Sequence, residues 1–326
     1  MPAPTGPVAV VTDSTASLPD GLAQRWGVVV VPLDVLVGTQ RHVEGVDLDP
    51  GDLLAALRRG TRVSTSQPPP AAFAAAYRAA ADAGAREIVS VHLSGELSGT
   101  VGAARVAAAA APVPVHVVDS GVSVMALGYA ALAAARHARG SAGPGLLLGG
   151  PPVEVAPPDV RGAARVGGWF ARLLGRGPDE PALPDAAQVA AVARDVSDGA
   201  RAWFLVDSLD HLRRGGRLSA ASAALGTVLG LRPLLTLDAG KVVVAEKVRT
   251  RRAARERLEA VAREHAAARG PVRVAVHHLG QPDVAAELVA QVERWPGVVE
   301  VVACEASAVI AAHVGPGVLA VVVVDA

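Results

Sequence analysis

The sequence predicts an α/β protein, a largely parallel sheet with helices on both faces joined to a second α/β unit. Short apolar, β-branched runs (PVAVV, EIVSVHL, VHVVD) alternate with alanine-rich helical stretches over the first 140 residues. Each run ends in a loop bearing hydroxyls, and a repeated strand, loop and helix builds parallel sheets covered on both sides. A second alternation resumes after residue 185. Domains are therefore expected at 1–140 and 185–326, with a Pro/Gly-rich insertion or linker at 141–184 between them.

Pro7 to Val11 reads as a buried strand, followed by Thr12-Asp13-Ser14-Thr15 and a helix from about Leu18-Pro19 to Gly27. VVVVPLDVLV supplies a second strand. A helix from Pro50 to Arg59 leads to Thr65-Ser66-Gln67, whose hydroxyls precede three prolines and the helix AAFAAAYRAAADAG. Next comes SVHLSGELSGT (90–100), in which a strand ends in Ser94, Gly95, Ser98, Gly99 and Thr100 before the helical VGAARVAAAAA. Free backbone N–H groups and hydroxyls at the positive end of a helix suit a carboxylate or phosphate. Equally, Ser98 or Thr100 is read as a plain N-cap. Strand VHVVD then leads to Ser120. Ligands collect at the carboxyl ends of parallel strands, so Thr12, Ser14, Ser94, Ser98 and Ser120 are expected to crowd one rim.

Between Ser141 and Pro184 the sequence has no strand or helix period, apart from VGGWFARLL, whose Trp169 and Phe170 would anchor it. Afterwards come a helix through Val196, strand WFLVDS, and a hairpin turning at Asp238-Ala239-Gly240 between LLTL and KVVVAEKV. RTRRAARERLEAVAREHAAARG reads as a surface helix with Arg252–Glu256 and Arg255–Glu259 at i, i+4 spacing. Strand VRVAVHH, helix DVAAELVAQVERW, strand VVEVVACE, helix SAVIAAHVG and strand VLAVVVV complete the second unit.

Composition excludes several classes. Basic and acidic residues number 31 each, which argues against nucleic acid as the main partner. The single cysteine, Cys304, lies in an apolar run and reads as a buried inert thiol. MPAPTGPVAVVTD lacks the basic start of a signal peptide, and the longest uncharged helical stretch, 120–135, falls short of a membrane span. The expectation is a cytoplasmic, soluble chain. Aromatics are only 3%, so any pocket is expected to be lined by Ala, Val and Leu and to suit an aliphatic ligand.

Neither G-x-x-x-x-G-K-[ST] nor G-x-G-x-x-G after a strand is present, so nucleotide binding by these devices is unsupported. No G-x-S-x-G elbow exists. His277-His278 has no ligand-spaced partner, and neither a metal nor a cofactor is expected. His313, in AAHVGPG, sits near a helix C-terminus with Gly315 as C-cap; that end favours an imidazolium able to donate to an anion, or else His313 is only a cap.

In order, TDSTASLP, VVPLDV, TSQPP, SVHLSGELSGT, VVDS, LDHLRRGGRLS, LGTVLGLRPLLTLDAGKV, EKVRTRR and AAHVGPG resemble the DegV family of fatty-acid-binding proteins. The resemblance covers Val8 to about His137 and Ala200 to the C-terminus. It implies a two-domain fold holding a long-chain fatty acid between the domains, with its carboxylate on Thr65, on Ser98 33 residues later, and on His313. It further implies presentation of that acid to a separate ATP-dependent fatty acid kinase that forms an acyl phosphate, with Arg217 and Arg249 facing the phosphate. The bland alternatives are that Arg217 braces the turn after Gly215-Gly216 and Arg249 is surface charge. A competing reading is a stand-alone esterase or thioesterase using Ser98 or Ser94 with His313; the missing elbow and orienting acid weigh against it. A nucleic-acid module on Arg249, Arg251, Arg252 and Arg255 is weaker still.

Overall fold

The computed structural model describes residues 7–141, 147–148, 183–219 and 232–326. Trp169, Phe170 and the stretch LGTVLGL lie outside them. Four strands, β1 (Val8–Asp13), β2 (Val28–Val31), β6 (Glu87–His92) and β7 (Val115–Asp119), form an all-parallel sheet in the order β2-β1-β6-β7. From β1 the chain passes outward to β2 on one side, and later from β6 to β7 on the other. The loops after β1 and β6 therefore part at a topological switch point, where open α/β sheets leave a crevice.

VVVVPLDVLV is not one strand but two. Pro32 lacks an N–H for the ladder, and the chain leaves the parallel sheet there. It continues as β3 (Asp34–Val37), which pairs antiparallel with β4 (Gln40–Val43) and β5 (Val63–Ser66) in a separate small sheet. Thr65 thus stands on a strand, opposite Val35, rather than in a loop leading to a helix. The helix near Leu18-Pro19 is also shorter than expected: a 3-10 turn at Ser14–Ala16, then α1 (Leu22–Trp26).

Helices α3 (Pro70–Asp82) and α4 (Thr100–Ala108) cover one face of the parallel sheet through Phe73, Tyr77 and Ala104. The other face meets α5 (Val124–Ala138) and α6 (Ala186–Gly199). The same two helices pack against Ala275, Val322 and Val324 of a second, six-stranded sheet. That sheet runs β10 (Lys241–Val248), β9 (Arg232–Asp238), β8 (Arg201–Leu205), β13 (Leu319–Asp325), β11 (Val272–His278), β12 (Val298–Glu305). Only β11 and β12 are parallel. Its far face is closed by α8 (Arg251–Ala267) and α9 (Pro282–Val292) through Leu258, Ala262 and Leu288. The layers therefore run helix, sheet, helix, sheet, helix. Being packed on both sides explains why α5 buries residues nearly all round and reads as alanine-rich rather than amphipathic.

At one end of this stack the small sheet and α2 (Pro50–Arg58) pack on α7 (Asp210–Arg214), α10 (Ala308–Val314) and the strands β8 and β9. Leu33, Val35, Leu53 and Leu57 meet Phe204, Leu212, Leu235 and Val309 there. The arm that carries Thr65 is thereby laid against the helix that carries His313.

Candidate functional site

The loop 93–99 is held from every side. Asp13, at the end of β1, accepts the Leu93 N–H (3.1 Å) and both the N–H and hydroxyl of Thr15 (3.1 and 2.5 Å). Asp119 accepts the Gly95 N–H at 3.1 Å, and the Ser94 N–H donates to the Val122 carbonyl at 2.9 Å. From the second sheet, the Gly240 carbonyl at the β9–β10 turn accepts the Ser94 hydroxyl (2.8 Å), while Arg217 Nε donates to the Leu97 carbonyl (3.0 Å). Lys241 pairs with Glu96 at 3.1 Å.

The five hydroxyls expected on one rim therefore have different fates. Thr12 donates to the Val91 carbonyl, Ser14 accepts from the Leu33 N–H, and Ser120 donates to the His92 carbonyl. Ser94 is buried and committed to Gly240. These four bind loops together, and Ser98 alone lines a cavity. Hydroxyls at strand ends satisfy turn backbone as readily as ligands, and nothing local in the sequence separates the two uses.

That cavity lies between the 93–99 loop, the start of α5, the small-sheet arm, α10 and the inner strands of the second sheet. The space between these walls, counting the solvent at its open mouth, is about 900 Å³. Leu33, Leu97, Leu212, Val242, Val309 and Val318 are typical of its walls, and among the described residues Phe204 is its one aromatic apart from histidine. The polar groups on it include Thr65, Ser98, Arg217 and His313. Of the other sequence candidates, Ser94, Gly99 and Thr100 stand behind Ser98 in the loop and the first turn of α4. Arg249 is exposed after β10, away from the cavity lining.

Thr65 and His313, 248 positions apart, meet directly: Thr65 Oγ1 is 2.8 Å from His313 Nε2. Ser98 Oγ is 2.8 Å from the Thr100 hydroxyl and accepts the Thr100 N–H at 3.3 Å, so it caps its own turn while facing the cavity. Gln67 lies across Gly99 so closely that a Cβ there would displace its amide. A Cβ at Gly215 would lie 2.6 Å from His313 Nδ1, so the imidazole packs on bare backbone. Arg217 donates to the Gly215 carbonyl as well as to Leu97, and so braces the turn while lining the cavity.

His313 does end a helix before Gly315, but the expected imidazolium is not what the site holds. Burial, then the charge of Arg217, then His211, push its pKa down to about 4, so the imidazole is neutral. A helix of only seven residues does not offset the lost hydration. Among the described lining residues the guanidinium is that of Arg217.

Sequence reasoning passed over a second cluster. His92 Nδ1 sits 3.0 Å from Asp13 Oδ2, its Nε2 2.6 Å from Ser90 Oγ, and Ser90 2.8 Å from the Tyr77 hydroxyl. The connectivity matches acid, base and nucleophile, yet all three lead residues are fully buried and the serine is engaged by Tyr77. No substrate reaches it; the chain of bonds locks β1 to β6 and sets where the 93–99 loop begins. Nor does Ser98 with His313 form a hydrolytic pair, since each bonds a different threonine. Cys304 is buried, and its thiol is pushed up to about 12 by burial, which fits an inert group. Among the described residues no helix is long and apolar enough to cross a membrane. In α8 the expected Arg252–Glu256 pair forms at 2.8 Å, whereas Arg255 reaches Gln281 rather than Glu259.

Similar proteins match nearly the full length of the chain. A DegV domain-containing protein of Streptomyces coelicolor is 43% identical over 97% of this chain and 98% of its own length. Protein DegV of Bacillus subtilis is 29% identical over 96% and 98%. The solved structure of a DegV family protein from Thermus thermophilus, described by its fatty acid binding, superposes with a TM-score of 0.75 at 32% identity, covering 98% of this chain and 99% of its own. That of Bacillus subtilis DegV, described as a fatty acid binding protein, gives 0.76 at 27% identity, covering 98% and 100%. The family model for uncharacterised proteins of the DegV family matches residues 7–144 and 184–326. With a family model that matches most of its residues and a relative 43% identical along nearly all of its length, the chain belongs to the DegV family.

Proposed function

We propose that this protein binds one long-chain fatty acid, with the tail in the aliphatic cavity and the carboxylate at Thr65, Ser98 and His313. The observation that carries this reading is a hydroxyl–imidazole cluster set on the wall of an otherwise apolar cavity. Transfer of an acyl chain from water contributes about 0.8 kcal/mol per CH₂, so roughly fourteen methylenes supply on the order of 10 kcal/mol. The head group adds little net affinity but needs donors once it leaves water, and two hydroxyls, an imidazole and the nearby Arg217 supply them. The two structures above, described as binding fatty acids, support a fatty acid as the ligand.

The protein serves as a carrier rather than a catalyst: it presents the bound acid to a separate ATP-dependent fatty acid kinase. There the carboxylate oxygen would attack the γ-phosphorus of ATP, releasing ADP and leaving an acyl phosphate, with Arg217 and the exposed Arg249 facing the new phosphate. Denaturing extraction and mass spectrometry of the purified protein are expected to yield fatty acid near stoichiometry. No lipid there, and no uptake of added stearate or oleate, would count against the reading. Thr65→Ala and Ser98→Ala are each expected to lower acyl-phosphate formation about tenfold in a reconstituted assay while circular dichroism stays unchanged. Unaltered turnover would remove that side chain from the head-group site.

A further inference from the structure

Two buried polar atoms on the cavity wall have no hydrogen-bond partner among the described residues: Ser123 Oγ and His277 Nδ1. Ser123 is 5% exposed and His277 1% exposed. Neither belongs to the Thr65–Ser98–His313 group. Ser123 stands at the N-cap position of α5 yet its hydroxyl caps nothing. The next residue, Val124, is a β-branched residue held at φ 51, where β-branched residues are rarely found. Two residues beyond Ser123, the Met125 N–H donates to His277 Nε2 at 3.3 Å. An amide N–H only donates, so Nε2 is the bare nitrogen and Nδ1 carries the imidazole proton. Burial agrees, pushing His277 down to about 3 and keeping it neutral. The wall therefore carries one N–H donor and one hydroxyl, on segments joined by the Met125–His277 bond, and the rest of the lining is largely hydrocarbon.

We infer that Ser123 and His277 form a second polar subsite along the acyl channel, one that recognises an oxygen on the chain itself, so that the ligand class includes hydroxy or oxo fatty acids. A ligand hydroxyl would accept from His277 Nδ1–H and exchange a hydrogen bond with Ser123, and a ketone would accept from both. A plain alkyl chain leaves these groups unpaired in a dry cavity, which is where selectivity arises: unmade buried hydrogen bonds discriminate more sharply than an added methylene. The inference rests on the fatty-acid reading and deepens it.

The test is a titration of delipidated protein with a positional series of monohydroxylated eighteen-carbon acids, with stearic acid as reference. One positional isomer is expected to bind about tenfold more tightly than stearic acid, the worth of one or two such bonds. Ser123→Ala is expected to bring that ratio down to about one. His277→Leu is expected to do the same, and where it fails to fold, Ser123→Ala carries the test alone. Stearic acid binding with no isomer preferred would overturn the inference, leaving the pair to hold a buried water only and the fatty-acid reading intact. A preference that survives Ser123→Ala would overturn it as well. Binding of neither stearic acid nor any isomer would instead defeat the fatty-acid reading, and the second subsite with it.

Discussion

On the proposed function, a single side chain, His313, couples head-group binding to pH. Its pKa in the ligand-free site lies near 4 because burial and Arg217 oppose the charged form. A carboxylate placed against it would oppose that cost and raise the value. Between about 4 and the raised value the complex then holds more protons than the free protein, so binding takes up a proton and strengthens as pH falls through that window. Calorimetric titration with stearate at pH 6, repeated in buffers of different ionisation enthalpy, is expected to show this uptake. His313→Gln is expected to abolish it and to weaken binding about tenfold. Equal heats in all buffers would place the carboxylate away from the imidazole.

At the scale of elements, the site depends on close backbone approaches that bring three distant segments together. Gly215→Ala puts a methyl against His313 Nδ1 and 3.2 Å from the His211 carbonyl, neither of which yields freely. It is expected to displace the imidazole and to weaken fatty-acid binding several-fold. Gly99→Ala meets only the end of the exposed Gln67 side chain, which swings aside, and is expected to be nearly silent. Comparing the two by titration with stearate checks the assignment; equal effects would contradict it. The same contrast explains what could be read in advance. β1 and β6 are buried on both faces and appear as continuous apolar runs, so they were legible, as was the hairpin at Asp238-Ala239-Gly240. β5 reads VSTS, half exposed at the edge of a small sheet, with no period to mark it. Ser98 and His313 stood out through the family resemblance, but whether Ser94 or Ser98 faces the cavity turns on Gly240, 146 positions from Ser94, and leaves no local trace. Ser123 and His277 likewise acquire meaning only when α5 is laid on β11.

For the whole molecule, the shared α5–α6 layer predicts how the protein comes apart. The Tyr129 hydroxyl donates to the Val274 carbonyl at 3.1 Å, and the Met125 N–H donates to His277, so α5 is bonded to the second sheet while its other side packs on the first. Neither sheet can lose this layer without exposing an apolar face, and a single cooperative unfolding transition is expected by calorimetry. Its pH dependence follows from the buried titratable groups. In the unfolded chain both imidazoles titrate near 6.5, whereas in the folded protein His313 lies near 4 and His277 near 3. Below pH 6.5 the unfolded chain therefore binds more protons, and stability falls on acidification towards those values. Glu44, whose carboxyl is raised by burial beneath the start of α10, acts in the opposite sense: it favours the folded state below its ordinary 4.5 and loses that contribution as pH rises through its raised value. Burial depresses His211 and His265 as well, so four imidazoles act against the one raised carboxyl, and the melting temperature is expected to drop from pH 7 to pH 5. Glu44→Gln, which removes the opposing group, should steepen the drop. A melting temperature that holds level or rises over this interval in Glu44→Gln, where the opposing group is gone, would mean that His277 and His313 are charged in the folded protein, and the neutral donor pattern argued for the cavity would fail with them.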